Sequence, residues 1–256
     1  MNRRGADVMV VVMPVRNEEL LLEASLSALT AAVEIASGAG IRTEVRIVLD
    51  RCTDASAQLA ARFPFPVLPS DAGRVGAARA LGVADALTAL AAIPPERIWI
   101  ANTDADSRVP VDWITTLSRI SAIADVCVGT VRPDFGDLSP AQREQWLRTH
   151  RRGKPNGNVH GANLALSALT YLEVGGFAPL GEHEDVDLVA RCRRHGAAVV
   201  ASDDAEVVTS GRRTGRTPGG YAGFLRQQAA DLARRGSAES GLPDTVNATR
   251  GAHRGG

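Results

Sequence analysis

The sequence is short of several things, and each shortage excludes a class of protein. Only three cysteines occur, Cys52, Cys127 and Cys192, and they form no CxxC or Cys/His pair at metal-ligand spacing. So sparse and odd a set argues against a disulfide framework and for a reducing compartment. No apolar run approaches the roughly 20 residues needed to cross a bilayer. The run at residues 8–13 is too short for a secretion signal and ends in Pro14 without a small-residue cleavage site. The expectation is a soluble, cytoplasmic protein with no integral membrane segment. Surplus charge is also missing: 29 Lys+Arg against 29 Asp+Glu leave a formal net charge of zero. No global field therefore draws the chain to nucleic acid or anionic lipid. Lysine is almost absent, Lys154 being the only one. Cationic work falls to arginine, whose planar fork grips oxyanions such as diphosphate better than an ammonium does.

What is present suffices for one domain. Hydrophobic residues make up 45% of the 256 positions, ample for a buried core. A domain over residues 1–235, followed by an unstructured Gly/Ser/Arg tail over 236–256, is the expected organisation. Along the first hundred residues, apolar runs at 8–13, 45–49, 67–68 and 97–101 alternate with helical patterns at 18–37, 57–62 and 75–92. That alternation predicts an α/β fold with a central, mostly parallel sheet and helices on both faces. The rest is less regular, with helices expected at 111–124, 140–150, 184–194 and 218–235. Strands are expected at 126–131, 198–201 and 206–208, and a Gly/Asn-rich loop at 153–161. In parallel sheets, ligands settle beyond the carboxyl ends of the strands. Arg16-Asn17-Glu18, Asp50 and Asp104/Asp106 all fall at such ends.

Asp104-Ala105-Asp106 is the most informative short motif. In an extended chain residues i and i+2 point the same way, so both carboxylates face one place. Paired hard oxygens suit Mg²⁺ or Mn²⁺ carried with a substrate's phosphates. The plainer alternative is a solvated turn in which Asp106 caps the next helix. Asp50 is placed to accept hydrogen bonds from a base or ribose, whereas Asp54 reads more simply as a helix cap. Glu18 at a helix start is equally well explained by the helix dipole. The segment from Gly73 to Arg79, with Gly76 between, offers amides and two arginines, Arg74 and Arg79, to a diphosphate, or is an ordinary helix start. From Glu182 to Asp187, four carboxylates and His183 crowd a helix start. That exceeds what capping requires, and mutual repulsion raises at least one carboxylate pKa, as a general base needs. The basic loop Ser210-Gly211-Arg212-Arg213-Thr214-Gly215-Arg216 either closes on a phosphate-bearing ligand or is simply solvated. Of the five histidines, His160 and His183 lie near suspected chemistry.

Six short motifs occur in one order. They are Pro14-Val15-Arg16-Asn17-Glu18, the strand ending in Asp50, Asp104-Ala105-Asp106, Gly161-Ala162-Asn163, Val174-Gly175-Gly176-Phe177 and Glu184-Asp185-Val186-Asp187-Leu188. Together, over about residues 8–210, they resemble the family 2 glycosyltransferases of the GT-A fold. The resemblance implies an inverting, non-processive enzyme that moves one sugar from a nucleotide-diphosphate sugar, UDP- or GDP-linked, to an acceptor hydroxyl. A divalent cation, Mg²⁺ or Mn²⁺, would assist. Asp50 would contact the nucleobase, Glu18 would lie near the nucleoside, Asp104 near the ribose, and Asp106 would ligate the metal. Asp185, paired with Glu184 in the catalytic motif, would take the acceptor's proton. The expected nucleotide and donor site then comprises Pro14, Arg16, Glu18, Asp50, Arg74, Arg79, Asp104, Gly161 and Asn163.

The chain departs from the family pattern at Arg51-Cys52-Thr53, where many members have Asp-Gly-Ser, and no histidine matches the one that completes the metal site in some members. It also lacks the Gln-x-x-Arg-Trp of processive synthases. No nucleic-acid partner is expected, and a homodimer is compatible with the sequence. Three other readings compete. A sugar nucleotidyltransferase would need a glycine-rich loop with Arg and Lys after the first strand, which residues 14–18 do not supply. A phosphatase using Asp104 would need a phosphate-orienting lysine. A catalytically inactive nucleotide-sugar-binding protein would not need both Asp106 and Asp185.

Overall fold

The structure, a computed structural model, describes residues 5–212, 215 and 220–240, with backbone alone at 233 and 235–240. Eight strands make one sheet: β1 (Val8–Val15), β2 (Arg42–Asp50), β3 (Val67–Ser70), β4 (Ile98–Asn102), β5 (Ser107–Arg108), β6 (Val126–Pro133), β7 (Leu164–Ser167) and β8 (Val199–Thr209). Their order is β3-β2-β1-β4-β7-β6-β8-β5. Strands β1 to β4 pair in parallel, as do β6 and β8. β7 runs antiparallel between β4 and β6, and β5 antiparallel beside β8. The expected mostly parallel α/β sheet is therefore present.

β1 shows why the layers form. Its sequence VMVVVMPV is rich in β-branched residues and almost wholly buried, as a central strand covered on both faces must be. Alternate side chains enter opposite cores. Met9, Val11, Met13 and Val15 pack with leucines of α1 (Leu22–Gly38) and with Trp113, Ile114 and Leu117 of α4 (Trp113–Ser121), on the face that α2 (Ser56–Ala60) also covers. Val8, Val10 and Val12 pack with Ala78, Val83 and Ala86 of α3 (Val75–Ala89). Tyr171 of α6 (Ala168–Glu173) and Leu188, Val189 and Cys192 of α7 (Glu184–Arg194) complete that second core.

Three local expectations are corrected. α1 begins at Leu22 rather than at residue 18, because residues 18–21 form a turn in which the Glu18 carbonyl accepts from the Leu21 and Leu22 amides (3.0 and 2.9 Å). The two strands expected at 198–201 and 206–208 are one, β8. The polar Ser202-Asp203-Asp204 lies inside it, opposite a register shift against β6 between Gly129 and Val131. The remaining helices are α5 (Pro140–Thr149) and α8 (Tyr221–Ser240), and the loop at 153–161 meets their ends through Asn156 on His150 and His160 on Tyr221. α8 runs on into the segment expected to be a tail, and residues 241–256 of that tail lie outside the described residues. So do Arg213, Thr214 and Arg216 of the basic loop. Among the described residues, no helix is long and apolar enough to cross a membrane.

Candidate functional site

A cavity of about 730 Å³ opens at the carboxyl edge of the parallel strands, walled by the ends of β1, β2 and β4, the start of α7, the 153–161 loop and the start of α8. At one end stands Asp50, 3% exposed. Its Oδ1 accepts from Ser70 Oγ (3.1 Å) and from the Gly73 amide (2.9 Å). Gly73 sits at φ 66°, which favours glycine. Arg16 donates to the Gly73 carbonyl (3.1 Å), so the ends of β1 and β2 are tied together. Pro14 also lines this end. Asp54 holds the turns locally, accepting from the Ser56 and Glu19 amides (both 3.0 Å).

Three non-glycine residues have left-handed backbones: Asn17, Arg51 and His183, at φ 52°, 53° and 61°. Each precedes a residue of the cavity or directly follows one. Such conformations cost free energy and persist where the surroundings enforce them, commonly at functional sites. Arg51 is held by its Nε donating to the Asp71 carbonyl (2.8 Å).

The Gly73-to-Arg79 segment is not a phosphate loop throughout. A Cβ on Gly76 would lie 2.2 Å from the Ala178 carbonyl oxygen, so this glycine serves close packing of α3 on the 178–180 segment. Arg74 does not line the cavity, contrary to expectation, and donates instead to the Pro179 carbonyl (3.1 Å). Arg79 does line it, and its side chain is only 1% exposed. Its guanidinium reaches Asp104 Oδ1 (2.5 Å), Glu184 Oε1 (3.2 Å) and Asn102 Oδ1 (3.4 Å), joining α3, β4 and α7. Burial pushes the Glu184 carboxyl upward, against the pull of Arg79. Glu184 Oε1 is engaged by Arg79.

A second arginine cluster is not legible in the sequence, which shows only that its loop is basic. Arg212, just beyond β8, grips both oxygens of Glu18 (2.6 and 2.9 Å) and reaches Asp106 Oδ2 (2.8 Å). Thr209 and Ser107 hydroxyls approach Asp106 Oδ1 at 3.4 and 3.3 Å. Burial first, and then the charge of Asp104, push the Asp106 carboxyl up to about 6 despite Arg212.

Asp185 occupies the far end. Its Oδ2 accepts from the Gly161 amide (2.6 Å) and its Oδ1 from the Val186 amide (2.8 Å). Gly161 is required there, since a Cβ would meet Arg79 Nη2 at 2.5 Å. Asn163 is elsewhere: it is buried and does not line this cavity. Its Nδ2 donates to the Thr130 and Ala205 carbonyls (both 2.9 Å), and its Oδ1 accepts from Trp113 Nε1 (2.9 Å). With all three bonds internal, it holds the crossing of β6, β7 and β8 together.

Among the described residues, no three His, Cys, Asp or Glu form a ready-made metal cage. The charge of the lining gives another test. Seven carboxylates line the cavity: Glu18 and Asp50 at one end, Asp104 and Asp106 in the middle, Glu182, Glu184 and Asp185 at the other. Only three guanidiniums, Arg16, Arg79 and Arg212, oppose them among the described residues. A polyanion entering here meets net repulsion unless a cation accompanies it. Hard oxygens spaced i, i+2 and surplus negative charge fit a Mg²⁺ or Mn²⁺ ion that takes most of its ligands from a phosphate.

Residues 10–169 match the model of the glycosyl transferase family 2. Solved structures share the fold at low identity. A mannosyltransferase from Pyrobaculum calidifontis in complex with GDP-Man and Mn²⁺ is 18% identical, with a TM-score of 0.56, over 94% of this chain and 66% of that one. The glucosyl-3-phosphoglycerate synthase of Mycobacterium tuberculosis, in complex with Mn²⁺, UDP and phosphoglyceric acid, is 19% identical with a TM-score of 0.55, over 93% and 80%. S. aureus TarS 1–349 is 15% identical with a TM-score of 0.55, over 80% and 61%. The chain thus spans less than two thirds of the first and last of these neighbours. No curated protein matches it. A family model matched over more than half of the sequence, on a fold shared with these transferases, shows that the chain belongs to glycosyl transferase family 2.

Proposed function

We propose that the protein transfers one sugar, with inversion, from a nucleoside-diphosphate sugar to an acceptor hydroxyl, assisted by a divalent cation. One observation carries the reading: Asp50, Asp106 and Asp185, from three distant parts of the chain, line a single cavity. Asp50 and Arg16 stand where a base and ribose would lie, with Glu18 close by. Asp106 would hold the cation, with Asp104 near the ribose, and the cation when bound neutralises charge developing on the departing diphosphate. Arg212 now occupies Asp106 and Glu18, so it must release Asp106 for a cation to enter, and it would then face the diphosphate. The neighbours with Mn²⁺ and GDP-Man or UDP support a cation and a UDP- or GDP-sugar donor.

Asp185 is the proposed base. Two amides fix both of its oxygens, and each oxygen keeps a lone pair for the acceptor's hydroxyl proton. As that proton moves to Asp185, the acceptor oxygen attacks the anomeric carbon from the face opposite the diphosphate, which inverts it. Arg79 and Glu184 position the start of α7 rather than transfer the proton. The test is a pair of variants assayed for donor binding and for transfer. Asp106→Asn should weaken metal-dependent donor binding. Asp185→Asn should bind the donor normally and lose transfer by roughly 10²–10⁴-fold. Near-normal turnover in Asp185→Asn would remove the base assignment.

A further inference from the structure

The end of the cavity beside Asp185 is built unlike the donor end. The chain has only ten Phe, Trp and Tyr residues, yet four of them form one cluster here with two histidines. The cluster starts at the proposed base, since Gly161 binds Asp185 and His160 precedes it in the chain. The His160 ring meets Tyr221 edge-on, with centroids 5.5 Å apart. Tyr221 in turn lies over Phe224 at 6.0 Å, with planes 22° apart. Behind them Trp146 stacks on His150 (4.1 Å, 6°) and receives the edge of Phe135 at 5.4 Å. Of this cluster, His150, His160, Tyr221 and Phe224 line the cavity.

The wall is also braced. Arg132 and Arg143 cover Phe135 at 4.6 and 5.2 Å. Gln142 Nε2 donates to the Leu225 carbonyl (3.2 Å), fixing α5 to α8. A rigid apolar wall loses little freedom when a ligand covers it, which favours binding. Phe224 nevertheless remains 55% exposed, and Val186, next to Asp185 in the chain, 45% exposed. Apolar surface at the mouth of a cavity is where a ligand gains most from burial.

Charge at this end restricts what the ligand is. Asp185, Glu182 and Glu184 are acids. Arg79 is taken up by Asp104 and Glu184, and Arg212 stands at the donor end on Glu18 and Asp106, from where its release would turn it to the diphosphate. Burial lowers the His160 pKa, which keeps that ring neutral near pH 7. Among the described residues at this end, a phosphate or carboxylate on the acceptor would meet three carboxylates and the rings of His150, His160 and His183.

We propose that the acceptor is an uncharged hydroxyl compound carrying an apolar ring beside its reactive hydroxyl, with that ring seated on Tyr221 and Phe224. This deepens the glycosyltransferase reading and rests on it, because Asp185 defines which end receives the acceptor. Three probes with one sugar in common test it: phenyl β-D-glucopyranoside, methyl β-D-glucopyranoside and glucose 6-phosphate. Each is titrated into the full chain by NMR, once alone and once with Mn²⁺ and a nucleoside diphosphate. The phenyl glucoside should bind roughly tenfold more tightly than the methyl glucoside, the worth of one good aromatic contact, and glucose 6-phosphate should bind weakest. Phe224→Ala, a change at a half-exposed position, and Tyr221→Leu should each remove most of the phenyl preference while leaving nucleoside-diphosphate binding unchanged. Tightest binding of glucose 6-phosphate, equal binding of the two glucosides, or an intact phenyl preference in both variants would overturn the proposal. Failure of every nucleoside diphosphate to bind would instead remove the donor reading, and the titrations into the protein alone would still decide about the wall.

Discussion

Arg79 and Arg212 each bind two carboxylates of the same cavity. Arg79 is buried in α3 with its side chain 1% exposed, whereas Arg212, beyond β8, keeps 31% of its side chain in solvent. Arg79 and Glu184 are both buried, although Asp104 keeps 38% of its side chain exposed, and removing Arg79 strands Glu184 in low dielectric. Arg212 itself stays in contact with water, so it can move off its partners, but Glu18 is buried and Asp106 largely so, and they need another cation in its place. The first cluster therefore reads as scaffold, tying α3 to β4 and α7. The second reads as an exchangeable counter-charge, resting on Glu18 and on Asp106, the carboxylate that a divalent cation would need.

That contrast breaks most easily at Arg79. Arg79→Met should cost about 3–5 kcal/mol of stability by leaving Glu184 buried without its counter-charge, measured as a fall in the urea midpoint. An equal loss in Arg212→Met would erase the distinction. Gly161→Ala should follow, at about 1–3 kcal/mol, because its Cβ would press on a guanidinium that cannot move aside. It should also disturb transfer, since the same residue's amide holds Asp185. Arg212→Met should cost less than Arg79→Met, about 1–3 kcal/mol in metal-free protein, because it leaves Glu18 and the largely buried Asp106 without their counter-charge. It should also raise Mn²⁺ affinity in the absence of nucleotide, read by electron paramagnetic resonance. Unchanged or weaker Mn²⁺ binding would show that Arg212 does not compete for the site.

The smallest effect is a pH slope. In metal-free protein the Asp106 carboxyl is pushed up to about 6 from its ordinary 3.8, chiefly by burial and then by Asp104. Between those values the native state holds a proton that the unfolded chain releases, so stability falls as pH rises through that window. Unfolding midpoints from pH 4 to pH 7 should show this decline and show it flattened in Asp106→Asn. Identical slopes in the two proteins would mean that other groups carry it.

How far the sequence could be read divides along the same line. β1, β2, β4 and α3 carry strong local signals, so the α/β sheet and the strand-end placement of Asp50, Asp104 and Asp106 were visible in advance. α7 was equally visible, with Glu184 at its start. What escaped depends on contacts between distant residues. Arg212 meets Glu18 across 194 positions, and nothing local distinguishes it from the other arginines of its loop. β7 spans only Leu164–Ser167 and is defined by antiparallel pairing to β4 and β6, which no four-residue pattern announces. The aromatic wall joins α5 to α8 through Gln142 and Trp146, residues that read as ordinary helix positions. Asn163 shows the reverse: a motif suggested a ligand contact, while three internal hydrogen bonds make it part of the frame.

The most direct test of the whole account is calorimetric titration of the protein with UDP, GDP, CDP and dTDP, each with and without Mn²⁺. The account predicts that one or two of these diphosphates bind, and that binding collapses when Mn²⁺ is withheld, because the acidic lining repels an unescorted polyanion. Absence of binding by all four, or equal affinity with and without Mn²⁺, would contradict it.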